Sequence, residues 1–174
     1  MQWHLRFPKN DVGLWAGRYV ENNARPGTED RIMQSIQSDV KTRGYYTQEE
    51  FLTVCKWKSD RPRRYFDLNS EEEVREITGL ALSTSSERTR IRVLTALDGV
   101  GWPVASVLLH FGHRDRYPIL DVRALSSLSV DPPNQYTFDF WMEYVRYCRS
   151  LADELNVDMR TLDRALWQYS KEND

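Results

Sequence analysis

Residues 97–105 read LDGVGWPVA, and residues 117–121 read YPILD. Two glycines separated by one residue permit a tight turn, because glycine adopts positive φ angles without steric penalty. The apolar residues after the turn, with Pro103 in the first turn of the helix, predict a helix over 102–111. The backbone N–H groups at the start of such a helix can hold an anion such as a phosphate. A Gly-x-Gly turn between helices is also common as a purely structural connection, so the turn alone leaves both interpretations open.

The rest of the chain is patterned for helices, with apolar residues recurring at helical spacing. Helix starts are predicted where Ser or Thr precedes Glu by three residues, or where Asp can act as a cap: Thr47, Ser70, Thr84 and Asp158. Further helices are expected over 11–20, 29–40, 121–128 and 137–155. Only 117–120 resembles a strand, and it is too short to seed a sheet. The predicted fold class is therefore all-α, a compact bundle of about ten short helices.

Length and composition narrow the class of protein. The chain has 174 residues, of which 40% are hydrophobic and 29% charged, as expected for a single globular domain over 1–174, with two lobes left open. No apolar run is long enough to cross a membrane, and the first ten residues lack the apolar core of a signal peptide. We therefore expect a cytoplasmic protein without a membrane partner.

Cysteine content and charge exclude further classes. Cys55 and Cys148 lack the spacing of a zinc or iron–sulfur site, so both are expected to be reduced, buried thiols. The net charge of −2 argues against a protein that coats nucleic acid by charge alone. Any nucleic-acid site must then be a local patch. Arg outnumbers Lys nineteen to five, and its planar guanidinium can grip a phosphate at two points.

The two segments 97–105 and 117–121 together resemble the helix–hairpin–helix DNA glycosylase superfamily, which includes endonuclease III and the adenine-excising mismatch glycosylases. The hairpin of that family reads Leu-Pro-Gly-Val-Gly, with a small residue four positions later, and the catalytic Asp follows at a characteristic distance. Here Asp121 lies twenty residues after Gly101, and YPILD is close to the FPILD of the adenine-excising branch. The resemblance covers 88–128, about a quarter of the chain, and implies a helix–hairpin–helix motif there.

The resemblance also implies roles for individual residues. Asp121 would be the catalytic carboxylate, which stabilises positive charge on the sugar and positions water after the nucleotide has been turned out of the duplex. The hairpin would bind phosphates, with a monovalent cation there and no other cofactor. The residues implied in DNA contact are Gly99, Val100, Gly101, Trp102 and Ala105. Asp121 can equally be the N-cap of a helix that begins at Val122, and both roles can hold together.

Departures from the family pattern refine the expected activity. Members that also cut the strand carry a nucleophilic Lys two residues after the second hairpin glycine. This chain has Pro103 there, and proline cannot form a Schiff base. We therefore expect a monomeric, monofunctional DNA glycosylase for base-excision repair, which hydrolyses the N-glycosidic bond of a damaged or mismatched base in double-stranded DNA.

Two other functions stay open at this point. Three features favour a non-catalytic nucleic-acid-binding protein that retains the glycosylase fold: Asp98, which replaces the proline of the family hairpin, Pro103 in place of the nucleophilic Lys, and the isoelectric point near 6.0. In a third interpretation the hairpin is purely structural and the protein is a protein-interaction module. Salt-dependent binding to duplexes distinguishes the glycosylase and the non-catalytic binding protein from the protein-interaction module. Base release distinguishes the glycosylase from the non-catalytic binding protein.

Aromatic and basic residues outside the motif are candidates for a base pocket or for further DNA contacts: Tyr45, Tyr46, Trp57, Lys58, Arg61 and Tyr117. Packing offers an alternative for several of them, because tyrosines before a helix cap can form a hydrophobic staple and Trp57 can lie in the core. His110 and His113 have no third ligand at metal-binding spacing, so no metal held by side chains is expected.

Overall fold

Side-chain caps and a glycine set the ends of several helices. The computed structural model describes residues 3–22, 26–59 and 61–174, with the backbone alone for 26–29. Thr47 and Ser70 each form a capping box with the Glu three residues later, and the Asp158 side chain accepts a hydrogen bond from the N–H of Thr161. Gly44, with a φ of 86°, follows the last residue of an early helix. The caps predicted at Thr47, Ser70 and Asp158 are thus confirmed.

The fold is all-α, as the sequence predicts. The described residues form ten α-helices and no strand, and a short 3₁₀ turn at Lys9–Asp11 precedes the first helix. The helices are α1 Val12–Asn22, α2 Pro26–Arg43, α3 Gln48–Lys58, α4 Arg63–Phe66, α5 Glu71–Ser83, α6 Glu87–Leu94, α7 Trp102–Gly112, α8 Val122–Ser127, α9 Phe138–Leu155 and α10 Met159–Asn173. None of the helices in the described ranges is both long enough and apolar enough to cross a membrane.

One predicted helix start is wrong. Thr84 does not cap α6; it ends α5, where its N–H donates to the carbonyl of Leu80 at 3.0 Å. Ser86 is the cap of α6, and its hydroxyl accepts a hydrogen bond from the N–H of Thr89 at 3.2 Å. The Thr84 hydroxyl instead accepts from the N–H of Ser86 at 3.2 Å. Because α5 extends to Ser83, Thr84 closes one helix and orients the cap of the next.

The chain divides into two compact units. The terminal unit combines Met1–Gly27 with Pro118–Asp174, and the central unit is the continuous stretch Thr28–Tyr117. The residues that resemble the glycosylase motif are therefore shared between the units. The turn at 95–101 belongs to the central unit, and Asp121 belongs to the terminal unit.

The core of the central unit is built from apolar residues of α3 to α7. Phe51 and Phe66 are fully buried and meet edge to face, with ring centroids 6.1 Å apart. Ile91 and Leu108 are also buried in this unit. Burial of large apolar side chains is the main favourable contribution to folding. These helices therefore form a packed core that supports the turn at 95–101.

The core of the terminal unit joins α1 to α10 and buries one face of α9. The rings of Trp15 and Tyr169 meet edge to face at 5.2 Å, and Phe7 lies against Tyr169 at 4.7 Å. Trp141 of α9 is fully buried, as expected for a core tryptophan.

Both cysteines are free and buried, as predicted from the sequence. Cys55 lies in α3 of the central unit and Cys148 in α9 of the terminal unit. Burial raises the pKa of each thiol, which keeps it protonated at neutral pH. Neither sulfur is therefore suited to act as a nucleophile.

Candidate functional site

The turn between α6 and α7 requires glycine at position 99. Residues 95–101 connect the two helices, and Gly99 has a φ of 79°. A Cβ atom at this position would lie 2.8 Å from Cδ1 of Phe66 and 3.1 Å from Cβ of Tyr65. A side chain at position 99 would thus meet both an unfavourable backbone conformation and a steric clash with α4.

The side chain of Asn69 anchors the turn through hydrogen bonds. This residue is only 4% exposed. Its side-chain oxygen accepts a hydrogen bond from the N–H of Asp98 at 2.7 Å, and its amide nitrogen donates to the carbonyl oxygens of Asp98 at 3.1 Å and Phe66 at 3.0 Å. One buried side chain therefore satisfies both backbone groups of Asp98 and connects the turn to the end of α4.

Gly101 differs from Gly99 because the packing does not require it to be glycine. Its φ of −88° and ψ of 178° are open to any residue, and a Cβ atom there would meet only Cδ of Pro103, at 3.9 Å. Gly101 is exposed and is the N-cap of α7. No side chain in the described part of the chain caps this helix. The start of α7 thus presents backbone, rather than side chain, at an exposed helix N-terminus.

The other implied contact residues of the motif are partly or fully packed. Val100 is 5% exposed and its N–H donates to the carbonyl of Leu97 at 3.1 Å. Ala105 is fully buried, and its N–H makes the first hydrogen bond of α7, to Gly101. Trp102 is half-buried. The N–H groups of Val100 and Ala105 are thus used within the turn and the helix, and their side chains fix the turn on the core.

Asp121 is the N-cap of α8, so the capping role expected for it is present. Its Oδ1 accepts a hydrogen bond from the N–H of Arg123 at 2.9 Å, and the residue is half-buried. The segment before it is anchored in the terminal unit, where the hydroxyl of Tyr144 donates to the carbonyl of Ile119 at 2.8 Å. Burial, and then the Asp121 carboxylate, raise the pKa of Tyr136. The carboxylate is thus held in a defined orientation on a half-buried residue.

Two of the aromatic candidates lie fully within the core of the central unit. The Tyr46 hydroxyl donates to the carbonyl of Leu108 at 2.8 Å, and the Tyr117 hydroxyl contacts both carboxylate oxygens of Glu87 at 2.8 and 2.9 Å. Both tyrosines are 0% exposed. These contacts favour the packing role for both residues over a place in an open base pocket.

The remaining candidates lie nearer the surface. Tyr45 is half-buried, with the guanidinium carbons of Arg43 and Arg75 at 4.9 and 5.4 Å from its ring centroid. Trp57 packs edge to face on Phe111 at 5.6 Å. Lys58 is half-buried and Arg61 is exposed.

The two histidines fix the loop after α7. A carbonyl oxygen only accepts, so Nδ1 of His110 donates to the carbonyl of Tyr117 at 2.7 Å. Nδ1 of His113 accepts from the N–H of Asp115 at 2.9 Å. Across the ranges that the structure describes, no group of three or more His, Cys, Asp or Glu side chains is placed to hold a metal ion.

Sequence reasoning missed two residues that position the site. Asn69 contacts the turn across 29 positions of sequence, and only its place directly before the cap of α5 marks it. Tyr144 lies on the buried face of α9, where its hydroxyl needs a partner and finds Ile119. A tyrosine among the apolar residues of a buried helix face is the one signal that could have indicated this contact.

No protein-family model, curated protein or solved structure matches the chain. The fold class is shown by the helices themselves. The relation to the helix–hairpin–helix glycosylases stays an inference from residues 97–121.

Proposed function

We propose that the protein is a monofunctional DNA glycosylase that removes a damaged or mismatched base by hydrolysis. Gly101 carries the proposal. Neither its backbone conformation nor its neighbours require glycine, yet it stands at the exposed, backbone-only start of α7. Glycine is favoured where a ligand approaches the main chain closely, and a helix N-terminus attracts phosphate. A DNA phosphate at the start of α7 accounts for both features.

The proposed reaction needs a contact to the DNA backbone and a catalytic carboxylate. The turn of the central unit binds the DNA backbone, and a monovalent cation bound by turn carbonyls would assist it. Asp121 would be the catalytic carboxylate that acts on the extruded nucleotide. Its carboxylate stabilises the positive charge that develops at C1′ as the bond to the base breaks, and it accepts a proton from the attacking water. Pro103 supplies no amine, so water is the nucleophile and the strand stays intact.

Base release from labelled duplexes tests the proposal. The panel carries uracil, 8-oxoguanine, alkylated purines, hypoxanthine, oxidised pyrimidines and an adenine mismatch, and abasic sites are revealed by heat and alkali. We expect release from at least one duplex and no adduct on borohydride trapping. A trapped adduct with the natural protein would contradict the monofunctional mechanism.

Asp121→Asn is the matched variant. Asn caps a helix about as well as Asp, so the hydrogen bond to Arg123 and the stability of the fold should be retained. The variant should bind duplexes but release no base. Normal turnover by the folded variant would remove Asp121 from the mechanism.

The second candidate is a non-catalytic nucleic-acid-binding protein with the same interface. The exposed residue Asp98 within the turn favours it, because a negative charge next to a phosphate weakens binding and is tolerated best when no tight catalytic complex is needed. Salt-dependent duplex binding without release from any member of the panel is the result that this candidate predicts.

A further inference from the structure

Residues 61–68 expose three arginines, a tyrosine and a leucine beside the turn. We define the arginine–tyrosine surface as the residues Arg61, Arg63, Arg64, Tyr65 and Leu68. All five are exposed. Leu68 is 64% exposed, the largest fraction for a large hydrophobic residue in the described ranges, and Tyr65 is 42% exposed. Leu68 and Tyr65 therefore add apolar surface to a segment whose other exposed residues here are arginines.

The charge of this segment is opposite to that of the chain. Residues 56–68 contain five Lys or Arg and two Asp, a net charge of +3, whereas the whole chain carries −2. One of the two acids, Asp67, forms an ion pair with Lys56 at 3.0 Å. The segment is therefore a local cationic patch of the kind that an acidic protein needs to bind a polyanion.

The arginine–tyrosine surface is joined rigidly to the turn. The Cβ of Tyr65 and the ring of Phe66 close the space over Gly99, and Asn69 connects the end of α4 to Asp98. A molecule bound at the start of α7 and one bound on α4 would thus contact a single fixed body. Surfaces held in fixed geometry lose little entropy on binding.

Arg64 and Tyr65 form a preorganised pair. The guanidinium carbon of Arg64 lies 4.7 Å from the centre of the Tyr65 ring, and Nη2 donates to the tyrosine hydroxyl at 2.7 Å. Stacking fixes the plane of the guanidinium while leaving other N–H groups to donate. Planar, oriented guanidinium groups suit the two-point recognition of phosphate.

We infer that the arginine–tyrosine surface is a second contact to duplex DNA, next to the phosphate site at the start of α7. The inference rests on the proposed function and extends its interface beyond the motif. The arginines contact phosphates of the duplex, and Leu68 and Tyr65 place apolar surface against the minor groove. Proteins that bind the minor groove of DNA combine arginines with exposed apolar side chains in this way. Double-stranded RNA, by contrast, is recognised mainly through 2′-hydroxyls and phosphates.

The salt dependence of duplex binding tests the inference. The variant Arg61→Gln/Arg63→Gln/Arg64→Gln of the full chain is titrated with a fluorescent duplex over a series of salt concentrations. Each lost phosphate contact lowers the slope of log K against log salt by about 0.9, so the slope should become shallower by about 2 to 3. Leu68→Gln should weaken binding several-fold at every salt concentration and leave the slope unchanged, since it removes apolar contact and no charge.

The control is Arg31→Gln/Arg92→Gln/Arg146→Gln, which removes the same charge from exposed positions on α2, α6 and α9. The slope of log K against log salt for this control should become shallower by less than about 0.9, the value for one phosphate contact. Equal slopes for the natural protein and the arginine–tyrosine variant would overturn the inference while leaving the proposed function in place. Absence of duplex binding by the natural protein would refute both. Equal or tighter binding to double-stranded RNA would overturn the assignment to DNA.

Discussion

Removal of the Asn69 side chain should loosen the turn more than any change at the surface around it. In Asn69→Ala the N–H of Asp98 and the carbonyl oxygens of Asp98 and Phe66 each lose one hydrogen bond, at a residue that is 4% exposed, and the Phe66 carbonyl keeps only the backbone N–H of residue 69 at 3.3 Å. Three hydrogen bonds at about 1 kcal/mol each give a loss of about 3 kcal/mol in the free energy of unfolding. With an m-value of about 2 kcal/mol/M, the urea midpoint should fall by about 1.5 M.

Urea unfolding followed by circular dichroism measures the loss, and hydrogen exchange locates it. The amide of Asp98 should exchange faster in the variant, because its acceptor is gone. Asn69→Asp is a second test variant. It keeps an acceptor for the N–H of Asp98 but places a carboxylate oxygen against the carbonyl oxygens of Asp98 and Phe66, so it should be at least as destabilised as Asn69→Ala. Asn134→Ala, in an exposed loop, is the control and should change the stability by less than about 0.5 kcal/mol. An Asn69→Ala protein as stable as that control would refute the role of Asn69.

Two further predictions concern the glycines and the pH dependence. Gly99→Ala should lose about 2 to 4 kcal/mol in urea unfolding, from the positive φ and the contact with Phe66, whereas Gly101→Ala should stay within about 0.5 kcal/mol but bind duplex DNA more weakly. Equal destabilisation of the two variants would contradict the distinction drawn between the glycines. Hydrogen bonds from Ser126, Arg6 and Ser170 hold the pKa of Asp174 at about 2, below its ordinary value of 3.8. The stability that Asp174 contributes should therefore be complete above pH 3.8 and lost as the pH falls through about 2, and Asp174→Asn should flatten this part of the stability curve; parallel curves would contradict it.

Local signals were sufficient for most of the helices. Capping boxes at Thr47 and Ser70 and the Asp158 cap depend on neighbouring residues only, so they can be read from sequence. The failure at Thr84 shows the limit of such signals. Ser86 offers an equally good cap two residues later, and the choice is made by how far α5 continues.

The candidate site was predictable only in part, because its supports come from distant residues. Gly99 and Asp121 belong to local motifs, and their turn and cap could be expected from sequence. The hydrogen bonds between Asn69 and Asp98 join residues 29 positions apart in sequence, and the hydrogen bond between Tyr117 and Glu87 joins residues 30 positions apart. Hydrogen bonds between residues so far apart in sequence produce no periodic pattern, so neither pair could be inferred from the spacing of apolar residues.

The discontinuous make-up of the terminal unit has a consequence for the order in which the nascent chain folds. α1 packs on α10 through Trp15 and Tyr169, whose codons are 154 positions apart. At about 5 to 20 residues per second, the ribosome needs roughly 10 to 30 seconds to bridge that interval. The central unit is complete in sequence earlier and can fold first. Until Tyr169 has been synthesised, Phe7 and Trp15 lack the ring that packs on them, so the N-terminal segment exposes apolar surface for most of translation.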